Sequence, residues 1–195
     1  MTIPHTNPTN WPEIRAGRLA SLIERASPEG CRIGLLGVPD DHGVSLNGGR
    51  VGAQGGPRVF REALARYGTP YYQPESRDLS TVKIFDAGDL VIGEELESTH
   101  DRLTEAVKAM LGHGMLPVVI GGGHDLTWPG VRGLSEYLGD AASGMEGVYL
   151  DAHLDVREER GSGMPFRRIL EGTPCAKLTV VGLDPFANSR EHVEW

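Results

Sequence analysis

Apolar positions in this chain come in blocks. Five short runs are almost continuously apolar: CRIGLLGV (31–38), VKIFDAGD (82–89), MLPVVIGGGHD (115–125), GVYLDAH (147–153) and AKLTVVGLD (176–184). Each predicts a strand buried on both sides. Helical spacing fills much of the sequence between them. In ESTHDRLTEAVKAMLGHG (97–114), Leu103, Ala106, Val107, Met110 and Leu111 share one face of an amphipathic helix. GPRVFREALARYG (56–68) has Pro57 at a helix start and Gly68 past its end. TWPGVRGLSEYLG (127–139) predicts a helix or two short turns. Another helix is expected from near Glu13 to before Ser27-Pro28, after an irregular arm over residues 1–12 rich in Pro, Thr and Asn. DDHGVSLNGGRVGAQGGPR (40–58) reads as a long Gly-rich loop, a kind that is usually functional or disordered.

Apolar strands alternating with helices predict an α/β fold: three layers, with a mainly parallel sheet covered by helices on both faces. No internal repeat, low-complexity tract or linker divides residues 1–195, so a single domain is expected, as the length allows. The net charge of −8 offers no basic stripe to neutralise phosphates, which argues against a nucleic-acid partner. Cys31 and Cys175 form no CxxC pair and read as reduced structural thiols. No secretory signal and no bilayer-length apolar run is visible, so a cytoplasmic protein without membrane contact is expected.

The chemistry gathers where two strands end. In an open parallel sheet, ligands bind outside the carboxyl ends of the strands. VVIGGGHD places His124 past the third strand, and VYLDAHLD places Asp151, His153 and Asp155 at and beyond the end of the fourth. If those strands are neighbours, all four share one rim. Two acids and an imidazole so close to a core strand are costly unless something compensates them. A divalent cation would do so. Two imidazoles and two carboxylates suit Mn²⁺, Fe²⁺, Co²⁺, Ni²⁺ or Zn²⁺. A carboxylate such as Asp151 can bridge two metals, and two metals can share a hydroxide aimed at an electrophilic carbon. Among the other histidines, His42, His100, His113 and His192 read as solvated. Asn47, Gly48 and Arg50 border either the substrate or an oligomer contact; the sequence leaves both open.

GGGHD (121–125) and DAHLD (151–155) resemble the first two metal motifs of the ureohydrolases: arginases, agmatinases and formimidoylglutamases. GVPDDHGVSLNGGRVGAQGGPRVFREAL resembles that family's first strand and Gly-rich loop, and FDAGDL its second strand end. The resemblance implies an arginase-like fold and two Mn²⁺ ions per site. It assigns His124 and Asp155 to one metal, His153 to the other and Asp151 as the bridge, with Asp151 and His153 catalytic. Arg157 stands where arginases have Asn, and Phe166 where their proton-handling His falls, so DAHLDVRE followed by SGMPFRRILE looks most like formimidoylglutamase. Its substrate, N-formimidoyl-L-glutamate, has two carboxylates, for which guanidinium groups are natural partners. Ser162 and the arginines Arg157, Arg167 and Arg168 are the candidate substrate-binding residues. The implied reaction adds water to give L-glutamate and formamide, in histidine degradation. A small amidine or guanidino compound is the expected partner, and a homo-oligomer is compatible. The family's third metal motif, SxDxD after a later strand, has no counterpart here, so the chain reads as the N-terminal part of the fold, truncated at its C-terminus. The alternatives are an agmatinase or other guanidino-hydrolase, or a truncated, non-catalytic family member.

Overall fold

A computed structural model describes residues 2–195. In chain order its elements are β1 (Thr6–Asn7), β2 (Ile23–Glu24), β3 (Ile33–Gly37), α1 (His42–Leu46), α2 (Gly56–Leu64), β4 (Tyr71–Tyr72), β5 (Arg77–Asp78), β6 (Ile84–Leu90), α3 (Leu96–Gly112), β7 (Leu116–Ile120), α4 (Thr127–Leu138), β8 (Glu146–Leu150), α5 (Pro165–Gly172), β9 (Lys177–Val181) and α6 (Arg190–Glu194). β3 lies between β6 and β7 and is parallel to both. The far edge of β6 is shared: β2 pairs parallel at Ile84 and Phe85, and β1 antiparallel at Leu90 and Asp89.

Successive residues of β3 face opposite helical layers. Leu36 packs with Leu103, Ala106 and Met110 of α3. Leu35 packs with Ala20, Ile23 and Leu64 on the other side. The layers approach closely. A Cβ on Gly34 would lie 2.4 Å from Met110 Cε, and one on Gly37 would lie 2.8 Å from Pro57 Cβ of α2.

A buried charge cluster ties α2 to this sheet. Arg61 Nε and Nη2 donate to the two carboxylate oxygens of Asp86, each at 2.9 Å, and Nη1 donates to Asp89 at 2.7 Å. Trp11 Nε1 adds a 2.6 Å bond to Asp86, which pins the N-terminal segment.

Several expectations need correction. Residues 13–27 form no α-helix. Gly17 takes φ +78°, only a 3-10 turn forms at Leu19–Leu22, and Ile23 joins the sheet edge. Apolar Trp11, Ile14, Ala20 and Ile23 pack against the sheet, so tertiary contacts override the helical spacing. The arm is irregular only in part, because Thr6 and Asn7 pair with β6. The Gly-rich stretch contains α1; for 127–139, of the two expected alternatives, the helix is the one that forms. The sheet itself is interrupted: β8 and β9 pair in parallel only with each other, and β7 has no bonded neighbour on its outer side among the described residues. No described helix is long and apolar enough to cross a membrane.

Candidate metal centre

After β7, Gly121–Gly123 turn the backbone sharply, and Gly123 N donates to Asp40 O at 2.8 Å in the loop after β3. This sets His124 at the start of a 3-10 turn, His124–Leu126. Asp151 follows β8 directly, and its N donates to Val181 O at 3.1 Å, which keeps it in register with β9. Although β7 and β8 are not bonded to each other, their ends meet. His124 Nδ1 lies 2.6 Å from Asp155 Oδ2 and 3.3 Å from Asp151 Oδ2. One ligand atom from each of these three residues falls within 4.8 Å of the others.

Asp151 uses its second oxygen on the other side. Oδ1 accepts from His153 N at 2.8 Å and lies 3.2 Å from His153 Nδ1. One imidazole therefore faces each oxygen. His153 is 56% exposed and lies outside the three-residue group. Asp155 has φ +48°, a conformation uncommon for any residue but glycine, and this bend aims its carboxylate at His124.

The His124 pKa is raised, first by its hydrogen bond to Asp155. Burial opposes this, and the charges of Asp155, Asp151 and Asp125 add to it. Behind the site, Phe166 meets the His124 ring edge-on at 5.2 Å and stacks on Tyr149 at 3.5 Å. Burial, reinforced by Asp155 and Asp151, pushes the Tyr149 hydroxyl up to about 12. Phe166 thus forms a dry wall behind His124 and brings no proton-carrying group.

The proposed substrate residues lie beyond Asp155. Arg157 N donates to Gly163 O at 2.9 Å, and Ser162 N donates to Gly43 O at 2.9 Å. Arg157, Arg167 and Asn47 line a cleft of about 510 Å³ that reaches Trp195. Arg167 pairs with Glu171 at 2.9 Å and lies 4.9 Å from the Trp195 ring centroid. Arg168 is on α5, and no ion pair holds it or Arg157 among the described residues.

Three further residues brace the site through side-chain bonds. Asn47 Oδ1 accepts from Gly163 N at 2.8 Å and Ser162 Oγ at 3.2 Å, which ties the arginine loop to α1. Asn188 Oδ1 accepts from Leu154 N at 2.8 Å, and its Nδ2 donates to Ala152 O at 3.1 Å, bracing the DAHLD turn. His100, expected in solvent, is 4% exposed and bonds Asp125 at 2.9 Å beneath His124. Asn47→Ala should leave Gly163 N unpaired and cost about 1–2 kcal/mol. A lower urea midpoint with unchanged slope checks this.

Carboxylates and an imidazole gathered at the carboxyl rim of an α/β sheet form a donor set suited to a divalent metal. Residues 31–195 match the arginase family, and the chain belongs to it. It is 36% identical over 178 residues to a formimidoylglutamase of Ralstonia nicotianae, a match covering 85% of this chain and 51% of that protein. A Geobacillus kaustophilus formimidoylglutamase is 35% identical over 181 residues, covering 90% and 53%. Trypanosoma cruzi formiminoglutamase, crystallised with two Mn²⁺, superposes with a TM-score of 0.81 at 34% identity, covering 91% of this chain and 61% of that one. The chain spans about half the length of the curated relatives it matches.

Proposed function

We propose that this chain is part of a binuclear-manganese hydrolase of amidine C–N bonds, a formimidoylglutamase that converts N-formimidoyl-L-glutamate and water to L-glutamate and formamide. The observation that carries the reading is Asp151, with an imidazole facing each of its oxygens and Asp155 sharing His124. The donor set fits the metal: carboxylate oxygens and imidazole nitrogens without thiolate suit Mn²⁺. Their spacing of 2.6–3.3 Å is that of groups able to share one ion. His124 and Asp155 would hold one ion, His153 the other, and Asp151 would bridge them. Bound metal would supply Lewis-acid activation of water.

The chain's own residues do the rest. Asp155 and Asp151 hold the His124 ring in orientation, and Phe166 and Tyr149 keep water from its back. Arg157, Ser162, Arg167 and Arg168 receive the substrate carboxylates. Water adds to the formimidoyl carbon, the bond to the glutamate nitrogen breaks, and that nitrogen takes the proton. The names of the relatives support this substrate; the proposed setting is histidine degradation in the cytoplasm.

The test is a chain extended through the third motif, assayed for the amine that each substrate would release: glutamate, ornithine or putrescine. N-formimidoyl-L-glutamate should be preferred over arginine and agmatine; equal turnover of agmatine, which has no carboxylate, refutes the assignment. Arg157→Ala should raise KM roughly tenfold or more with kcat little changed, because the lost charge-assisted bond is present in both ground and transition states.

A further inference from the structure

One buried pair lies outside the group of His124, Asp151 and Asp155. His100 of α3 is 4% exposed and Asp125 1%. His100 Nε2 stands 2.9 Å from Asp125 Oδ2. An ionised carboxylate only accepts, so the imidazole donates. Asp125 Oδ1 has no hydrogen-bond partner, which leaves His100 as the one donor to this carboxylate among the described residues. A carboxylate out of water is costly unless donors surround it, so its place here depends on His100.

The carboxylate is also wedged. A Cβ on Gly43 of α1 would lie 2.1 Å from Asp125 Oδ1, and one on Gly123 would lie 2.3 Å from it. Both backbones can close on that oxygen because neither residue has a side chain. His124 therefore stands between two anchors. Before it, Gly123 N donates to Asp40 O at 2.8 Å; after it, Asp125 is held by His100. The second anchor is itself fixed between α3 and α4. Thr104 Oγ1 lies 2.9 Å from His100 O and 3.1 Å from Pro129 O, and Arg132 Nε donates to it at 2.8 Å.

We propose that His100 is a positioning residue for the metal centre: as the donor to Asp125 it fixes the backbone after His124, and so sets where that imidazole stands relative to Asp151 and Asp155. The proposal rests on the reading of those three residues as metal ligands. Without His100, the Asp125 carboxylate regains donors by moving toward water. Asp125 shares a peptide bond with His124, so that movement pulls the ligand out of line. Loss of groups that orient ligands costs about 10–100-fold in metal affinity.

The experiment compares the 195-residue chain with two variants. His100→Leu removes the donor at similar size, and His100→Gln offers an amide Nε2 that can donate to Asp125 in its place. In titration calorimetry, His100→Leu should bind Mn²⁺ about tenfold or more weakly, and His100→Gln should recover to within about threefold of the parent. Urea midpoints separate stability from affinity. A folded His100→Leu chain that is less stable yet binds Mn²⁺ as the parent does overturns the proposal, and so does an equal loss in both variants. Gly43→Ala displaces the same carboxylate from the opposite side. It serves if His100→Leu fails to fold, and should weaken Mn²⁺ binding to a similar degree. The imidazole ¹⁵N signals of His124 in metal-free protein give a readout that needs no metal: they should move in His100→Leu and return in His100→Gln, and signals that stay in place overturn the proposal. A parent chain that binds no Mn²⁺ refutes the metal reading, and the ¹⁵N signals then decide the positioning role by themselves.

Discussion

Arg61→Ala should destabilise the chain by about 3–5 kcal/mol, a large share of the ~5–15 kcal/mol that holds an ordinary domain together. The Arg61 and Asp86 side chains are only 5% and 2% exposed, so the truncation leaves a carboxylate in the core with Trp11 Nε1 and Gly88 N as its remaining close donors. Replacing Arg61 and Asp86 together by apolar residues should cost less than Arg61→Ala alone, because most of the penalty is the unpaired charge. Urea denaturation followed by circular dichroism measures both. The same cluster sets an acid limit. Burial alone would raise the Asp86 pKa, but Arg61, Gly88 N and Trp11 outweigh it and hold the group below the usual carboxylate range. A folded-state pKa below the unfolded one gives stability that is complete above the ordinary carboxylate pKa and is lost as pH falls through the depressed value. Asp86→Asn should therefore lower stability at neutral pH and flatten its decline below about pH 4. An unchanged acid slope would show that Asp86 is not the group responsible.

Asp151→Asn should weaken Mn²⁺ binding by more than the roughly 10–100-fold that loss of a group supporting a ligand costs. The amide loses the charge and one of the two oxygens that face His124 and His153. Asp155→Asn should rank next, and His153→Ala should have the smallest effect in this chain, since His153 stands exposed at the edge of the cluster. The 195-residue chain itself should hold at most one Mn²⁺ and turn over little substrate even with excess metal. Four ligands leave too little negative charge to offset the repulsion between two close cations. Elemental analysis after gel filtration gives the stoichiometry, and titration calorimetry gives the affinities. Two tightly held ions per chain, or sustained turnover by a monomer, would show that the missing carboxylates are dispensable.

The parts legible in the sequence were those encoded by local physics. β3 and β7 are visible as apolar runs, as is β6 despite Asp86 and Asp89; the spacing of Leu103, Ala106, Val107 and Met110 marks α3 directly. The sharing of one rim by His124, Asp151, His153 and Asp155 was expected if β7 and β8 were neighbours; His124, Asp151 and Asp155 meet although the two strands are not bonded, and His153 stays outside the group. What escaped depends on distant partners. Residues 13–27 have helical spacing but bury their apolar side chains against the sheet. The eight residues of α5 are too few to show a period between Gly-rich flanks. Asn47 and Asn188 act through side-chain bonds to loops 116 and 34 residues away, which no spacing rule reveals. The break between β7 and β8 was hidden because each strand looks internal; whether a strand has neighbours is not written in its own residues.

That break divides the ligands between two structural units. His124 belongs to the sheet built on β3, while Asp151, His153 and Asp155 follow β8 of the β8–β9 pair, whose Tyr149 and Leu178 pack with Trp128 and Val131 of α4 and Phe166 and Ile169 of α5. An ion gripped from both sides would act as a clasp between separately opening parts of the molecule. Occupancy would then reach beyond the site, suppressing the sub-global opening of β8–β9 by RT ln(1 + [Mn²⁺]/Kd) and leaving the melting of β3 and β6 nearly untouched.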